Sequence, residues 1–506
     1  MTRNLMMSMQ PFWLLGVGAL AGLTIVAVLW LVAFLVHRPI ATIIGEVLRE
    51  RVVFPVLVIA AGFGLFTLSM TAWDATGGRF FDLKAEALHS VTRIPSVKLH
   101  EIVEEIPAGA TDHEIHFNIP AGELKKIELK LEEIIRPKLD RLTVSWNQPV
   151  AETENEEDSV EVLPDDSFSW TRRREPEGPL AGELASLFVA NETSSPINLT
   201  IKINQQMVVP EAWIIVVTAI GIAGFVSFYV LLQLLFPKVA AIALTTGKEA
   251  VSQPVFYLTM IAGCFLLLLF IVTPYFTFGE DVKVYKDTGL QLIMILGIFI
   301  ALWTASVSVA DEIEGRTALT VLSKPVSRRH FVIGKFMGIG SAVALLFVLL
   351  GVLFLVCISY KVVYDSRETS NVYIAWQDCY LEVARTVPGL VLYFMETVVL
   401  ASISVAISTR LSMLANLTIC MAIYVVGHLL PLLVQSRVGE FAIVQFMGQF
   451  FAAILPVLEH FNVYGAVAAG IDIPTSYLAW VGLYTLIYVT IAMLLALALF
   501  EDRDLA

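Results

Sequence analysis

Nine long apolar stretches dominate this chain and restrict what it can fold into. Each is close to the roughly 20 residues that a helix needs to cross the ~30 Å hydrocarbon core of a bilayer. They lie at 11–36, 53–71, 212–236, 256–276, 290–310, 336–360, 388–408, 411–434 and 476–500. Only 16% of all residues are charged, against about 25% in average soluble domains. The sequence therefore predicts a polytopic membrane protein, all-α in its spanning part, with about nine transmembrane helices.

A polar block separates the second apolar stretch from the third. Residues 72–210 carry 25 acidic and 14 basic residues, which accounts for most of the net charge of −13. Apolar and polar residues alternate at 115–119, 142–146 and 199–203, with turn residues between them, which is typical of half-buried strands. The block contains no cysteine, so disulfides do not stabilise it. We expect an inserted β-rich, sandwich-like domain.

These features divide the chain into four parts. We expect two N-terminal transmembrane helices at 1–71, the β-rich domain at 72–210, a third transmembrane helix at 211–237 and a six-helix region at 238–506. The first apolar stretch is longer than the core of a signal peptide, so we interpret it as a retained helix.

Basic residues in the short loops predict the orientation, because such loops stay in the cytoplasm. The loops after the first, third and fifth apolar stretches carry Arg38, Arg49, Arg51, Lys238, Lys248, Arg316, Lys324, Arg328, Arg329 and Lys335. Nine spans then place the N-terminus outside the cytoplasmic (inner) membrane, the C-terminus in the cytoplasm and the β-rich domain outside. The balance of charge outside the acidic block argues against a nucleic-acid partner, which would need a basic face.

The apolar segment at 440–462 is interrupted by Gln445, Gln449 and Pro456. A tenth span here would move the C-terminus outside. We expect a re-entrant pair of short helices instead, because irregular backbone within a membrane is tolerated where protein buries it.

The most informative segment, 311–335, joins the fifth and sixth apolar stretches. It begins with three acids, Asp311, Glu312 and Glu314, which the positive-inside rule does not explain. Proline at position 325 ends a helix, and Ser327 is suited to cap the next one. Gly334 and Gly338 then allow a close helix contact. We interpret the segment as a short helix, a sharp break and a re-entering helix that press against a partner protein.

The order of acids, Glu-Gly, a threonine, a Leu-rich turn and Lys-Pro-Val-Ser-Arg resembles the cytoplasmic coupling segment of ABC-2 type permeases. The resemblance covers about 238–500, with an elbow-like segment at 238–254. The three extra spans and the β-rich domain depart from the minimal layout of that family. The resemblance implies that the segment docks onto a nucleotide-binding subunit. The coupling residues are then Asp311, Glu312, Glu314, Gly315, Arg316, Thr317, Pro325, Arg328 and Lys335.

The sequence contains no recognisable ATP site. Its only Gly-Lys pairs are Gly247-Lys248 and Gly334-Lys335, and neither has the glycine five residues earlier that a P-loop requires. We therefore expect no enzyme activity and neither a cofactor nor a metal in this chain. The resemblance implies ATP and Mg on a separate cytoplasmic ABC ATPase, and a second permease subunit, identical or different, beside this one in the lipid bilayer.

Glu396 lies in the middle of an apolar stretch, and an intramembrane acid is a candidate functional site. The more common case is a carboxyl hydrogen-bonded to a neighbouring helix. Glu396 also leaves open a second hypothesis, a proton- or ion-coupled secondary transporter that needs no ATPase. A third hypothesis is a non-transporting membrane scaffold that presents the extracytoplasmic domain to a partner.

Overall fold

The structure is a computed structural model, and it forms two compact units, Met1–Phe80 with Val217–Ala506, and Phe81–Val216. The described residues are 2–75, 84–92, 98–131, 142–147, 149–150, 159–162, 168–171, 180, 182–191, 196–205, 207–273, 280–310, 327–368, 375–435, 446, 448, 450–451 and 454–501.

Helices build almost the whole first unit. In chain order, the helices of the molecule are α1 Thr2–Val36, α2 Arg38–Leu48, α3 Val53–Ala75, α4 Lys84–Thr92, α5 Trp213–Leu235, α6 Pro237–Ser252, α7 Pro254–Val272, α8 Asp281–Ala305, α9 Arg328–Glu368, α10 Trp376–Ser408, α11 Met413–Gln435, α12 Tyr464–Ala468 and α13 Thr475–Glu501. Within the described part of the chain, eight helices are long and apolar enough to cross a membrane. α11 occupies the remaining predicted stretch. The prediction of a multi-pass helical membrane protein is confirmed.

Three helices form the centre of the bundle. Between 56% and 67% of the apolar windows of α8, α9 and α10 are buried, against 28% or less in the other spanning helices. Glycines set the spacing between α8 and α9: a Cβ atom at Gly289 would lie 2.1 Å from the ring of Phe354, and one at Gly297 would lie 2.4 Å from Phe347. The outer helices expose apolar side chains, as lipid contact requires.

In its described residues, the second unit has eight strands in two antiparallel four-stranded sheets. The strands are β1 Lys98–Ile106, β2 His113–Ile119, β3 Leu124–Leu131, β4 Leu142–Trp146, β5 Ser159–Val162, β6 Phe168–Thr171, β7 Leu184–Asn191 and β8 Ile197–Gln205. Their orders, β1-β8-β3-β6 and β2-β7-β4-β5, are those of a double-sheet jelly roll. The prediction of a β-rich, sandwich-like domain is confirmed, and all three predicted alternating segments are strands.

The outer face of the first sheet is charged. Glu101 of β1 lies opposite Lys202 of β8, which lies opposite Glu128 of β3. The hydrogen bond to Glu101 raises the pKa of the exposed Lys202 amine. The inner face is apolar and includes Leu129 and Trp170. This alternation explains why the strands were recognisable in the sequence.

The described part of the predicted re-entrant region combines helical residues with irregular backbone. Residues 446, 448, 450–451 and 454 are helical, and a single 3-10 turn, Leu458–Phe461, follows. Three tyrosine hydroxyls of α13 bond this backbone: Tyr484 accepts from the Val457 N–H (3.0 Å), Tyr488 donates to the Ile454 carbonyl (2.7 Å) and Tyr477 donates to the His460 carbonyl (2.8 Å). Protein side chains thus satisfy backbone groups at residues 454, 457 and 460, which an irregular segment within a membrane would require. The re-entrant path of 440–462 stays a prediction.

Candidate functional sites

The predicted coupling segment, 311–335, joins α8 to α9, and the structure describes its last part, 327–335. Residues 311–326 lie outside the described residues. They include Asp311, Glu312, Glu314, Gly315, Arg316, Thr317 and Pro325, whose role in docking stays a prediction. Arg328 and Lys335 lie in the first turns of α9.

The start of α9 is fixed by two side chains. Ser327 precedes the helix, and its hydroxyl accepts a hydrogen bond from the His330 N–H at 3.4 Å, as predicted for a capping residue. Arg328 Nη1 donates to the carbonyls of Phe500 (3.0 Å) and Glu501 (2.7 Å). Its guanidinium also lies 5.6 Å from the Phe500 ring centroid. Arg328 therefore holds the C-terminal end of α13, where carbonyls without helical partners favour a cation.

Lys335 is buried, with 5% of the residue exposed, and its Nζ lies 5.6 Å from the Phe331 ring centroid. The Phe331 ring in turn stacks on Phe500 of α13 at 5.7 Å. In the described structure, Lys335 thus contributes to packing between α9 and α13. Its predicted role in coupling remains a prediction.

The beginning of α9 packs closely against α6, which occupies the range of the expected elbow-like segment. A Cβ atom at Gly334 would lie 2.7 Å from Cβ of Ile242, and one at Gly338 would lie 2.7 Å from the Ala243 carbonyl oxygen. The two glycines therefore permit the close contact predicted from their spacing.

On the other side of the segment, α8 ends in a π-helical turn, Ser306–Ala310. Asn416 of α11 donates from Nδ2 to the Ser306 hydroxyl (2.9 Å) and to the Ser404 hydroxyl of α10 (2.8 Å). All three residues are completely buried. One amide therefore ties the end of α8 to two neighbouring helices, beside a π turn of the kind often found at functional sites.

Glu396 lies in α10 and is completely buried. His428 of α11 bonds to it, with 2.9 Å between Nε2 and Glu396 Oε1. The other imidazole nitrogen, Nδ1, lies 3.7 Å from Oε2 of Glu459 in the 3-10 turn. Glu396 Oε2 has no hydrogen-bond partner among the described residues. The structure thus brings two carboxyls to the two nitrogens of one imidazole.

Gly427 brings the 3-10 turn close to α11. A Cβ atom at this glycine would lie 2.8 Å from Cγ of Leu458 and 3.0 Å from the Pro456 carbonyl oxygen. Since Gly427 precedes His428 and Leu458 precedes Glu459, this contact brings the imidazole and the second carboxyl together. The ring of Tyr424 packs edge-on against His428 at 4.8 Å.

Two buried ion pairs join the central helices at the end of α8 that is remote from the coupling segment. Lys286 Nζ lies 2.6 Å from Glu382 Oε2 of α10, and Lys361 Nζ of α9 lies 3.1 Å from Asp281 Oδ2. Each lysine side chain is at most 2% exposed. Paired burial of this kind offsets the cost of removing charges from water.

Sequence reasoning identified Glu396 but missed its partners and both ion pairs. His428 sits in an apolar stretch, and Glu459 follows 31 positions later in the irregular region. Glycine at 427 and proline at 456 were the available signals of a close contact. Among the described residues, no group of three or more His, Cys, Asp or Glu side chains is arranged to hold a metal ion.

The chain is similar to a known protein family over more than half of its length. A family model described as "ABC-2 family transporter protein" matches residues 206–505, which include α5 to α13 and the candidate coupling segment. No curated protein matches the chain.

Proposed function

Because the chain belongs to the ABC-2 family of transporter proteins, we propose that it is the permease subunit through which an ABC transporter moves its cargo across the cytoplasmic membrane. The observation that carries this proposal is the family match over all helices from α5 onward. Members of this family are components of membrane transporters and are not themselves catalytic. In the proposal, a separate cytoplasmic ATPase binds ATP and Mg and hydrolyses the nucleotide.

The packing around the coupling segment supports a mechanical role. At one end, Asn416 links the π turn of α8 to α10 and α11. At the other end, Arg328 links α9 to α13, and Gly338 allows α9 to pack against α6. Force applied at 311–326 therefore reaches five neighbouring helices besides α8. A change between two arrangements of these helices needs a difference in binding free energy between the two arrangements. In the proposal, ATP binding to the partner supplies that difference.

The proposed complex contains two permease subunits, identical or different, and two ATPases that dock on the segment. The N-terminus and the jelly-roll domain lie outside the cell membrane, and the C-terminus lies in the cytoplasm. The basic loops support this orientation.

The test is a pair of double variants in the full-length chain. Glu314→Ala/Arg316→Ala removes one acid and one base from the segment. Glu280→Ala/Lys283→Ala removes an exposed pair, 2.6 Å apart, at the remote end of α8. We expect the first variant to lose co-purification with the ATPase and stimulation of ATP hydrolysis, while the second keeps both. Normal binding and stimulation in the first variant would refute the docking proposal.

A second candidate function is proton-coupled transport without an ATPase, and the contact of Glu396 with His428 is the observation that favours it. The two functions differ in their energy source. The test replaces the P-loop lysine of the partner ATPase and, separately, dissipates the proton gradient. Transport that survives the first change and stops after the second would support the second function and refute the first.

A further inference from the structure

The group formed by Glu396, His428 and Glu459 lies outside the predicted coupling segment, and it has the geometry of a proton path. We propose that Glu396 is a proton-binding site inside the helix bundle, and that His428 passes the proton between Glu396 and Glu459. This inference concerns the permease itself and does not depend on the presence of an ATPase.

Exposure changes stepwise along the three side chains. That of Glu459 is 46% exposed, that of His428 is 24% exposed and that of Glu396 is fully buried. In the proposed path, Glu459 therefore exchanges protons with the surroundings of the helix bundle, whereas Glu396 exchanges them only through a neighbour. His428 touches both, with a hydrogen bond of 2.9 Å at Nε2 and a separation of 3.7 Å at Nδ1.

Burial makes the Glu396 carboxyl a natural proton acceptor. An ionised carboxylate in an apolar interior carries a desolvation cost unless charge or hydrogen bonds offset it. Glu396 has His428 at Oε1, and Oε2 has no partner in the described part of the chain. One proton shared with His428 relieves the cost in either of two ways, as a neutral acid beside a neutral imidazole or as a carboxylate beside an imidazolium. The pair therefore titrates as a unit.

The other charged and titratable groups around the site leave this assignment intact. The charged side chains that act on Glu396 are His428 and Glu459. Tyr424 of α11 and Tyr393 of α10 interact electrostatically with Glu396. From the packed elements, Asp287 of α8 acts on Tyr393, and Tyr477 of α13 acts on Glu459. On the facing side, α9 contributes the ring of Phe347, which packs on Phe394 of α10.

The transfer balances without another reactant. A proton on the Glu459 carboxyl moves to Nδ1 of neutral His428, and the proton on Nε2 moves to Oε1 of Glu396. Glu459 is then a carboxylate, the imidazole is neutral again, and Glu396 is a neutral acid. Release reverses both steps and restores the first tautomer, so that no rotation of the imidazole is needed.

The experiment uses the full-length chain in lipid nanodiscs, without ATPase, and follows the C=O stretch of protonated carboxyls by infrared difference spectroscopy after pH steps. We expect Glu396→Gln to lose one such band that Asp287→Asn retains. We expect His428→Gln and Glu459→Gln to keep the band but to develop it several-fold more slowly. Thermal unfolding of each variant verifies its fold.

Two results would overturn the inference. The first is a full set of carboxyl bands in Glu396→Gln. The second is development of the band at the wild-type rate in both His428→Gln and Glu459→Gln. The side chain of Glu459 is 46% exposed, so its substitution tests the path even if the buried variant fails to fold. Failure here leaves docking of the ATPase untouched, because no nucleotide or partner is present.

Discussion

The buried pair of Lys286 and Glu382 gives the sharpest test of the helix packing, because the side chains of its two members differ in exposure. The side chain of Lys286 is 1% exposed, and that of Glu382 is 27% exposed. Lys286 Nζ donates to Glu382 Oε2 and to the Val467 carbonyl, both at 2.6 Å. Removing either partner therefore leaves a different group behind.

The expected costs follow from these groups. Glu382→Ala leaves a buried ammonium without its counter-charge, which costs about 3–5 kcal/mol of unfolding free energy. Lys286→Met leaves a partly exposed carboxylate and one carbonyl without its donor, which costs about 1–3 kcal/mol. The double variant has no isolated buried charge, so it should be more stable than Glu382→Ala alone.

The assay is denaturant unfolding of the full-length chain in mixed micelles, followed by tryptophan fluorescence. Lys283 and Glu280 provide the control pair on the same helix, since they are also 2.6 Å apart but have side chains that are 45% and 60% exposed. Breaking that pair should cost about 1 kcal/mol or less. The reasoning is refuted if Lys286→Met costs as much as Glu382→Ala, or if the double variant shows the sum of the two single losses.

Three further predictions concern the ends of the coupling segment, and each is read from the same unfolding assay. Arg328→Gln should lower the free energy of unfolding by about 1.5–3 kcal/mol, because the terminal carbonyls of α13 lose a charged donor. The control Arg329→Gln, at an exposed position, should change it little. Equal effects of the two variants would contradict this prediction. Asn416→Ala should cost about 1–3 kcal/mol, since two buried hydroxyls lose their donor, and a neutral result would exclude the amide as the link at the π turn. Gly338→Ala should destabilise the chain, because the added Cβ atom meets the backbone of α6. The control Gly340→Ala places its Cβ atom where no other atom lies within 4 Å, so it should be neutral or stabilise the chain by up to about 1 kcal/mol. The reverse order of stability would contradict the close packing of α9 on α6.

The length of the apolar stretches predicted the helices well but made several of them too short. The fifth stretch was predicted to begin at residue 290, whereas α8 begins at Asp281. Hydropathy reads Asp281 and Lys286 as boundary residues, because it scores each charge alone. In the structure both are buried, since each has a partner on a neighbouring helix.

Alternation also predicted the β-rich domain but not its topology. The pattern at 199–203 indicates a strand with one buried face. It cannot indicate that β8 lies between β1 and β3, because strand order depends on partners that are distant in sequence. The same limit applies to the proposed proton path. Glu396 was visible as an acid in an apolar stretch, whereas its connection to Glu459 depends on a contact between α11 and a turn that follows it.

We propose that residues 311–326, the first part of the coupling segment, dock onto a separate ATPase. The most direct measurement is site-specific photocrosslinking in membranes that contain the full-length chain, with a photoreactive amino acid placed at Glu314 or, as the control, at Glu280. The account predicts an adduct at Glu314 that mass spectrometry identifies as a P-loop ATPase, and no such adduct at Glu280. Absence of that adduct at Glu314, or an equal yield at Glu280, would contradict the claim.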